Sequence, residues 1–565
     1  MATVLTKGRV KVSKYGSTEE TTALLNADIA PLGAPLNEKR FFWQRQRAPD
    51  VDAIATQPSV FDDPDTADRY EPGPEWENYH RFDPSARWTW GEEGSLVRKI
   101  DRRIMVWACI MFMALELDRA NIQQALTDNF LDDLDMTTND YNLGNTLFKL
   151  GFLCAELPSQ LLSKWVGPDR WVPAQMVLWA CCASLQFWIQ SRDSFLVFRA
   201  LLGLLQGGFI PDVILYLSYF YKHHELTLRL GFFWTAMSFA DILSALFAYG
   251  LLHMRGVGGQ AGWRWLFLVE GLITLVVGSL GFVLMPAGPC QTASWFRGPK
   301  GWFTKREEII MVNRVLRDDP SKSDMHNREA LTPRHLWESL KDFDLWPIYL
   351  IGLTFEVPMR PASLYMTLTL RGLGFTTFQA NLLSIPEKVG HIIMMLGITY
   401  LGEALKELSL VSMISQIWAL PFLIFLNVVD IQGLNRWVLY AVVTLLLIYP
   451  NPHPIQVGWN SRNSNAVRSR TVSAACYNMF VQASGIIASN VYREDDAPRY
   501  ERGNRWLLTI ACGNIVLYLL VKVYYVRRNR QRDRIWSAMS EDERLNYLAT
   551  TTDEGNKRLD FRFSH

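Results

Sequence analysis

Residues 194–221 read SFLVFRALLGLLQGGFIPDVILYLSYFY, a run that is apolar almost throughout yet carries Arg199 and Asp212. As a helix rising about 1.5 Å per residue, such a run spans the roughly 30 Å hydrocarbon core of a bilayer. Gly203 and Gly207 stand four apart within it, a spacing that lets membrane helices approach closely. A guanidinium on such a face needs a carboxylate, a carbonyl or an anionic ligand. Gln206, seven residues beyond Arg199 and about 20° round the helix, is predicted to share its face.

Apolar runs of this kind recur on both sides. The chain has 565 residues, 49% hydrophobic and 20% charged, but the charge is segregated into 1–103, 285–344 and 527–565. Twelve spans are predicted, near 103–122, 142–164, 171–190, 194–221, 229–254 and 263–285, then 345–369, 377–402, 406–430, 436–460, 468–492 and 504–527. The predicted fold is therefore an all-α membrane protein of twelve transmembrane helices in two six-helix bundles. Its organisation is a disordered cytosolic tail (1–100), the first bundle (101–285), a cytosolic central loop (286–344), the second bundle (345–527) and a cytosolic tail (528–565). The central loop contains an amphipathic stretch from Lys305 to Leu316, read as a surface helix.

Orientation follows from basic residues beside the spans, which resist translocation. The stretch 122–141 has no Lys or Arg but carries Asp128, Asp132, Asp133, Asp135 and Asp140, whereas the next turn has Lys164 and Arg170 and the turn after span 4 has Lys222 and Arg229. Both termini are thus expected in the cytosol. No apolar signal-peptide core precedes span 1, which is expected to direct insertion itself. Glu20 to Leu25 fits an acidic dileucine sorting pattern.

Composition excludes several classes. A net charge of +1 lacks the basic excess of a nucleic-acid binder. There is no phosphate-binding G-x-x-x-x-G-K-[ST] loop, no H-E-x-x-H and no G-x-S-x-G elbow, so an enzyme is not expected and neither is a cofactor or metal. The seven cysteines lie almost entirely in apolar spans, where thiols pack as small residues and no disulfide framework is expected.

Ionisable residues inside the spans are the site candidates, because each is costly there unless paired or used. For substrate contact these are Arg119, Arg199, Gln206, Arg360, Lys388 and Asn478. Arg119 offers planar, bidentate recognition of a carboxylate, sulfonate or sulfate, with Asp118 neutralising it when the site is empty. Asp118, Glu156, Asp212 and Asp241 are candidates for carrying a coupled proton. Gly167, Asp169, Arg170, Gly203, Gly207 and Glu270 are assigned structural or gating roles. Lys149 and Glu156, seven apart on one helix face, are read either as a structural charge arrangement or as part of the site, and His391 as a hydrogen-bonded interior histidine.

Several motifs together resemble the fungal anion:cation symporter branch of the major facilitator superfamily, the group of allantoate permease. They are Asp118-Arg119-x-Asn121, Gly167-Pro168-Asp169-Arg170-Trp171, Arg199 to Gly208, Gly262 to Gly271 (GWRWLFLVEG), Asp496-Ala497-Pro498 with Tyr500, and Gly555 to Arg562 (GNKRLDFR). Leu143 to Gln160, Leu204 to Tyr221 and Trp302 to Asp324 are most similar to fungal alternative sulfate and sulfonate transporters. The resemblance implies uptake of small organic or inorganic anions, or vitamins, coupled to protons, and the expected protein is a monomeric plasma-membrane importer working by alternating access. It also implies a glutamate in many relatives where this chain has Gln206, often the proton carrier. The absence of that carboxylate suits an anion of a strong acid, such as sulfate or a sulfonate. The alternatives are a carboxylate or vitamin anion (allantoate, nicotinate, biotin or pantothenate), a non-transporting nutrient sensor, and an anion channel.

Overall fold

The computed structural model describes residues 31–33, 50–63, 67, 70–74, 76–320, 322, 337, 340–429, 434–464, 467–493, 496, 500–551, 553 and 555–565. The sorting pattern at 20–25, the motif residues Ala497 and Pro498, and Ser321, Ser323 and Asp324 at the end of the central-loop motif lie outside the described residues.

The helices follow the predicted order. The first half has span 1 at Val106–Ala125, span 2 at Thr138–Val166, span 3 at Pro168–Leu185, span 4 as Arg192–Gln206 and Phe209–Ser218, span 5 at His223–Leu251 and span 6 at Gly262–Leu284. In the second half, span 7 is divided into Trp346–Thr354, Arg360–Leu364 and Met366–Gly372, and span 8 into Thr377–Leu383 and Ile385–Leu405. Ser409–Val428, then Arg436–Leu447 with His453–Ser464, Val467–Ser489 and Glu501–Ala538 form spans 9 to 12. No strand occurs among the described residues. Six of these helices, spans 4, 5, 6, 8, 9 and 12, are long and apolar enough to cross a membrane by length and composition alone. The other six, spans 1, 2, 3, 7, 10 and 11, are shorter, broken or richer in polar residues among the described residues.

Within the first half, span 3 packs on span 6, span 2 on span 4 and span 1 on span 5. The second half repeats this, with span 9 on span 12 and span 7 on span 11. The halves meet where span 2 faces span 11 and span 5 faces span 8. Outward-facing Val276, Phe282 and Leu520 stay exposed, as lipid-facing side chains do.

Two polar segments are more ordered than the sequence suggested. The disordered tail predicted for 1–100 is corrected over its described residues from 76 onward. There Trp90–Ile100 forms a helix whose start is closed by a reciprocal Thr89/Glu92 cap, and it winds directly into span 1 through a π-helical turn at Asp101–Met105. This helix rests on the amphipathic central-loop helix, Lys305–Asp318. Buried Glu93 is the joint, accepting from Trp88 Nε1 at 2.7 Å and from Lys222 Nζ at 2.5 Å, with Arg314 Nε at 3.5 Å. Arg314 also pairs with Glu225. Burial opposes ionisation of Glu93, but Lys222 and Arg314 outweigh it and hold the carboxyl below the usual range. At the other end of the chain, Ser564 O accepts from Trp459 Nε1 at 2.7 Å and from Asn463 Nδ2 at 3.1 Å, docking the last residues against span 10.

Candidate functional site

Two breaks in corresponding spans, the fourth of each half, open the centre of the molecule. Span 4 breaks after Gln206, where Gly208 takes a φ of 85°, a conformation that favours glycine. Gly203 and Gly207 lie so close to span 2 that a Cβ would fall 2.1 Å from Phe148 O and 2.6 Å from Ala155 Cβ. Carbonyls released by the break are taken up by buried amides. Gln175 Nε2 donates to Gly207 O at 2.8 Å and Gln160 Nε2 to Gly208 O at 2.9 Å. In span 10 the helix stops at Leu447 and resumes at His453, because Pro450 and Pro452 supply no backbone donors there. Non-helical backbone at membrane depth is tolerated only where protein or a water-filled cavity satisfies it.

Between the halves lies a cavity of about 210 Å³ lined by spans 1, 2, 4, 5, 7, 8, 10 and 11. Among the described residues, five cations line it, Arg119, Lys149, Arg199, Arg360 and Lys388, against four carboxylates, Glu116, Asp241, Glu356 and Glu387. Arg119 Nη1 donates to Glu116 Oε1 at 2.7 Å and its Nε donates to Gln206 Oε1 at 2.9 Å, while Nη2 has no partner among the described residues. Arg199 Nη2 donates to the neutral Asn145 Oδ1 at 2.9 Å, and among the described residues its Nε has no partner. The Phe148 ring lies 4.6 Å from the Arg199 guanidinium carbon and 5.6 Å from that of Arg119, a separation at which a ring face attracts a cation.

The second half balances its charges. Arg360 pairs with Glu356 at 3.0 Å, and Lys388 contacts Glu387 at 3.1 Å and, across the halves, Asp241 at 3.2 Å. His391 Nδ1 lies 3.2 Å from Leu447 O, and His453 Nδ1 lies 3.1 Å from Tyr477 Oη. Beside the loop 122–141 the halves are joined by Tyr365 Oη donating to Asn142 Oδ1 at 2.6 Å and by His253 stacked on Phe378 at 3.8 Å.

Of the residues singled out in the sequence, Arg119, Arg199, Arg360, Lys388, Asn478 and Asp241 line the cavity. Gln206 is fully buried just behind it and touches Arg119. Its partner thus comes from span 1 and not from Arg199 on the same helix. Asp118 does not neutralise Arg119 either. It points between spans 3 and 6 toward Trp179 and Thr274, because neighbouring residues on a helix diverge by about 100°, and Glu116 takes its place. Glu270, fully buried, faces Ser244 and Asn121. Asp212, behind the span 4 break, faces Ser163 and Gln160. Glu156 is fully buried behind Asn478. Gly167, at φ 101°, makes the turn from span 2 to span 3, and Asp169 and Arg170 follow it away from the cavity. Gly203 and Gly207 serve the close packing of spans 2 and 4.

Tyr449, Asn451, His453 and Phe148 were not anticipated. The signal for the first three was present in Tyr449-Pro450-Asn451-Pro452-His453-Pro454, since a proline-interrupted apolar segment marks an unwound stretch facing a binding cavity. Phe148 carried no comparable signal.

A cavity shared by two six-helix halves, entered by broken helices and walled by buried cations, defines a membrane carrier. The family model of the Major Facilitator Superfamily matches residues 108–489, and the chain belongs to that superfamily. A Saccharomyces cerevisiae protein described as the uncharacterized transporter YIL166C is 46% identical over 520 residues, covering 91% of this chain and 95% of the relative. The major facilitator-type transporter hxnP of Emericella nidulans is 26% identical, covering 78% of this chain and 88% of its own length. Among solved structures, the xylose transporter XylE from E. coli in a partially occluded inward open conformation superposes with a TM-score of 0.52 at 13% identity, covering 75% of this chain and 97% of its own. XylE, described as a proton:xylose symporter, also matches in a sugar-bound structure with a TM-score of 0.53 at 14% identity, covering 76% and 96%. The chain is a multi-pass membrane protein and a secondary transporter, not an enzyme.

Proposed function

We propose that the protein imports a small anion of a strong acid, sulfate or an organic sulfonate, together with protons, across the plasma membrane with both termini cytosolic. The observation that carries this reading is the charge imbalance on spans 1, 2 and 4. There Arg119, Lys149 and Arg199 face the cavity against Glu116 alone, and Arg119 rests on the neutral Gln206. A buried cation without a full countercharge is unfavourable until a ligand supplies one. Two uncompensated positive charges suit a dianion, or an anion that stays ionised whenever the cavity is open. The acidic loop at 122–141 and the basic turns opposite support the orientation, and the XylE likeness is consistent with proton coupling.

The runner-up substrate is a carboxylate or vitamin anion, favoured by Trp234, Tyr449 and His453 in the cavity wall. The test is uptake of radiolabelled sulfate by the purified protein in vesicles, driven by an inward proton gradient, with isethionate, taurine, allantoate, nicotinate, biotin and pantothenate as competitors. Accumulation above equilibrium, suppressed by the sulfonates, is expected. Equilibration without accumulation identifies a channel, selective suppression by the vitamins supports the runner-up, and no uptake of any of these anions leaves a sensor.

A further inference from the structure

Span 2 meets span 11 through two side-chain rungs. Lys149 Nζ donates to Gln482 Oε1 at 2.7 Å. One turn along span 11, Asn478 Nδ2 donates to both carboxyl oxygens of Glu156, at 3.1 and 3.0 Å. Glu156 has no exposed surface and Asn478 only 6%, yet Asn478 lines the cavity. Glu156 makes no ion pair among the described residues. Around it stand the Gly208 backbone N–H at the span 4 break and Arg119 of span 1. Asp212 of span 4 and Cys476 of span 11 also face it.

Three properties meet at this residue. It can gain and lose a proton, it borders the cavity through one intervening amide, and its hydrogen bonds cross from one half of the molecule to the other. No other proton-carrying candidate combines them without a countercharge. Asp241 crosses the halves but is ion-paired with Lys388, while Asp118 and Asp212 lie inside the first half. We infer that Glu156 carries the coupled proton, and that its contact with Asn478 is the joint through which that proton alters the packing of span 2 on span 11. The inference rests on the proton-coupled reading above.

The chemistry follows from donor and acceptor counting. As a carboxylate, Glu156 receives Asn478 Nδ2 on both oxygens. Protonation converts one oxygen to a hydroxyl donor and leaves the carbonyl oxygen to receive Nδ2, so the two-oxygen contact is reduced to one unless Asn478 turns its amide to offer Oδ1. The inter-half contact therefore differs between the two protonation states, as alternating access requires. An anion beside Arg119 adds negative charge near Glu156, so proton and anion bind in each other's favour, and the coupling is reciprocal.

Infrared difference spectra of the purified full-length protein in lipid nanodiscs, titrated without substrate, test the assignment. A carboxylic-acid carbonyl band should titrate in the wild type, be lost in Glu156→Gln, and move to higher pH by about one unit in Asn478→Leu, where the carboxylate loses its donor. A band that persists unchanged in Glu156→Gln, or that vanishes instead in Asp212→Asn, overturns the inference. If Glu156→Gln does not fold, Glu156→Asp serves: a displaced midpoint supports the assignment and an unmoved one refutes it. In vesicles, Glu156→Gln should retain exchange of labelled for unlabelled sulfate but lose accumulation driven by a proton gradient. Wild-type accumulation in that variant also refutes the role. A wild type that takes up no sulfate counts against the sulfate reading alone, and the infrared titration still decides the role of Glu156.

Discussion

The two cavity walls are built on opposite electrostatic plans. On spans 1, 2 and 4 the cavity-lining cations rest on neutral groups, Arg119 on Gln206, Arg199 on Asn145 and Lys149 on Gln482, and among the described residues Glu116 is the one carboxylate these spans bring to the cavity wall. On spans 7 and 8, Arg360 and Lys388 each find carboxylates, and one of those, Asp241, is contributed by the first half. The difference assigns separate tasks. A wall short of negative charge is completed by an anion, whereas a self-neutralised wall can meet cargo and water without changing its charge.

The largest effect that would break this division comes from Arg119. Arg119→Lys keeps the charge but replaces a planar fork with a point donor. Sulfate uptake at matched surface expression should fall on the order of 10- to 100-fold, the range for losing a charged hydrogen bond. Undiminished uptake would show that this wall does not hold the anion.

The balanced wall makes a different prediction. Asp241→Asn leaves Lys388 with one carboxylate fewer, and adding Lys388→Gln should restore part of the lost uptake. The interaction energy expected from the double-mutant cycle is roughly 0.5–3 kcal/mol. Strictly additive losses would mean that Lys388 and Asp241 act on substrate separately.

Smaller again, and more informative about charge, is Gln206→Glu. The new carboxylate would face Arg119 and remove one unit of the excess positive charge. Apparent sulfate affinity should weaken about tenfold at neutral pH, or about 1.4 kcal/mol, and recover as acidification protonates the residue. Affinity measured from about pH 4.5 to about pH 7.5, with parallel profiles for the two proteins, would remove Gln206 from the account.

Glu93→Gln should leave sulfate affinity unchanged and lower thermal stability, which provides a control outside both walls. The folded carboxyl is held below its usual range, so its contribution is complete above the unfolded pKa of about 4.3 and is lost as pH falls through the folded value. Melting curves of variant and wild type should therefore differ at neutral pH and converge on acidification. A constant difference would assign the loss to packing.

The spans were legible because long apolar runs bounded by charge have few other uses, and the buried cations because ionisable residues are rare at that depth. The pairing of those cations was not legible. A helical wheel places Gln206 with Arg199, but the side chain that reaches Gln206 arrives from span 1, and wheels carry no information about neighbouring helices. Asp118 and Arg119 read as a pair in sequence, yet adjacency on a helix separates them. Residues 76–100 read as a tail because their helix is short and polar. Their order comes from Glu93, Lys222 and Arg314 meeting across more than two hundred positions of chain.

The break in span 4 also constrains how the chain can diverge. Gly207 and Gly208 expose two carbonyls that Gln175 and Gln160 cover from other helices. Restoring a continuous helix would take one carbonyl acceptor from each amide, and losing either glutamine would strand a buried carbonyl. Neither change is tolerable first, so these four positions should be inherited as a block. A descendant that replaces one of them should carry a compensating change in the others.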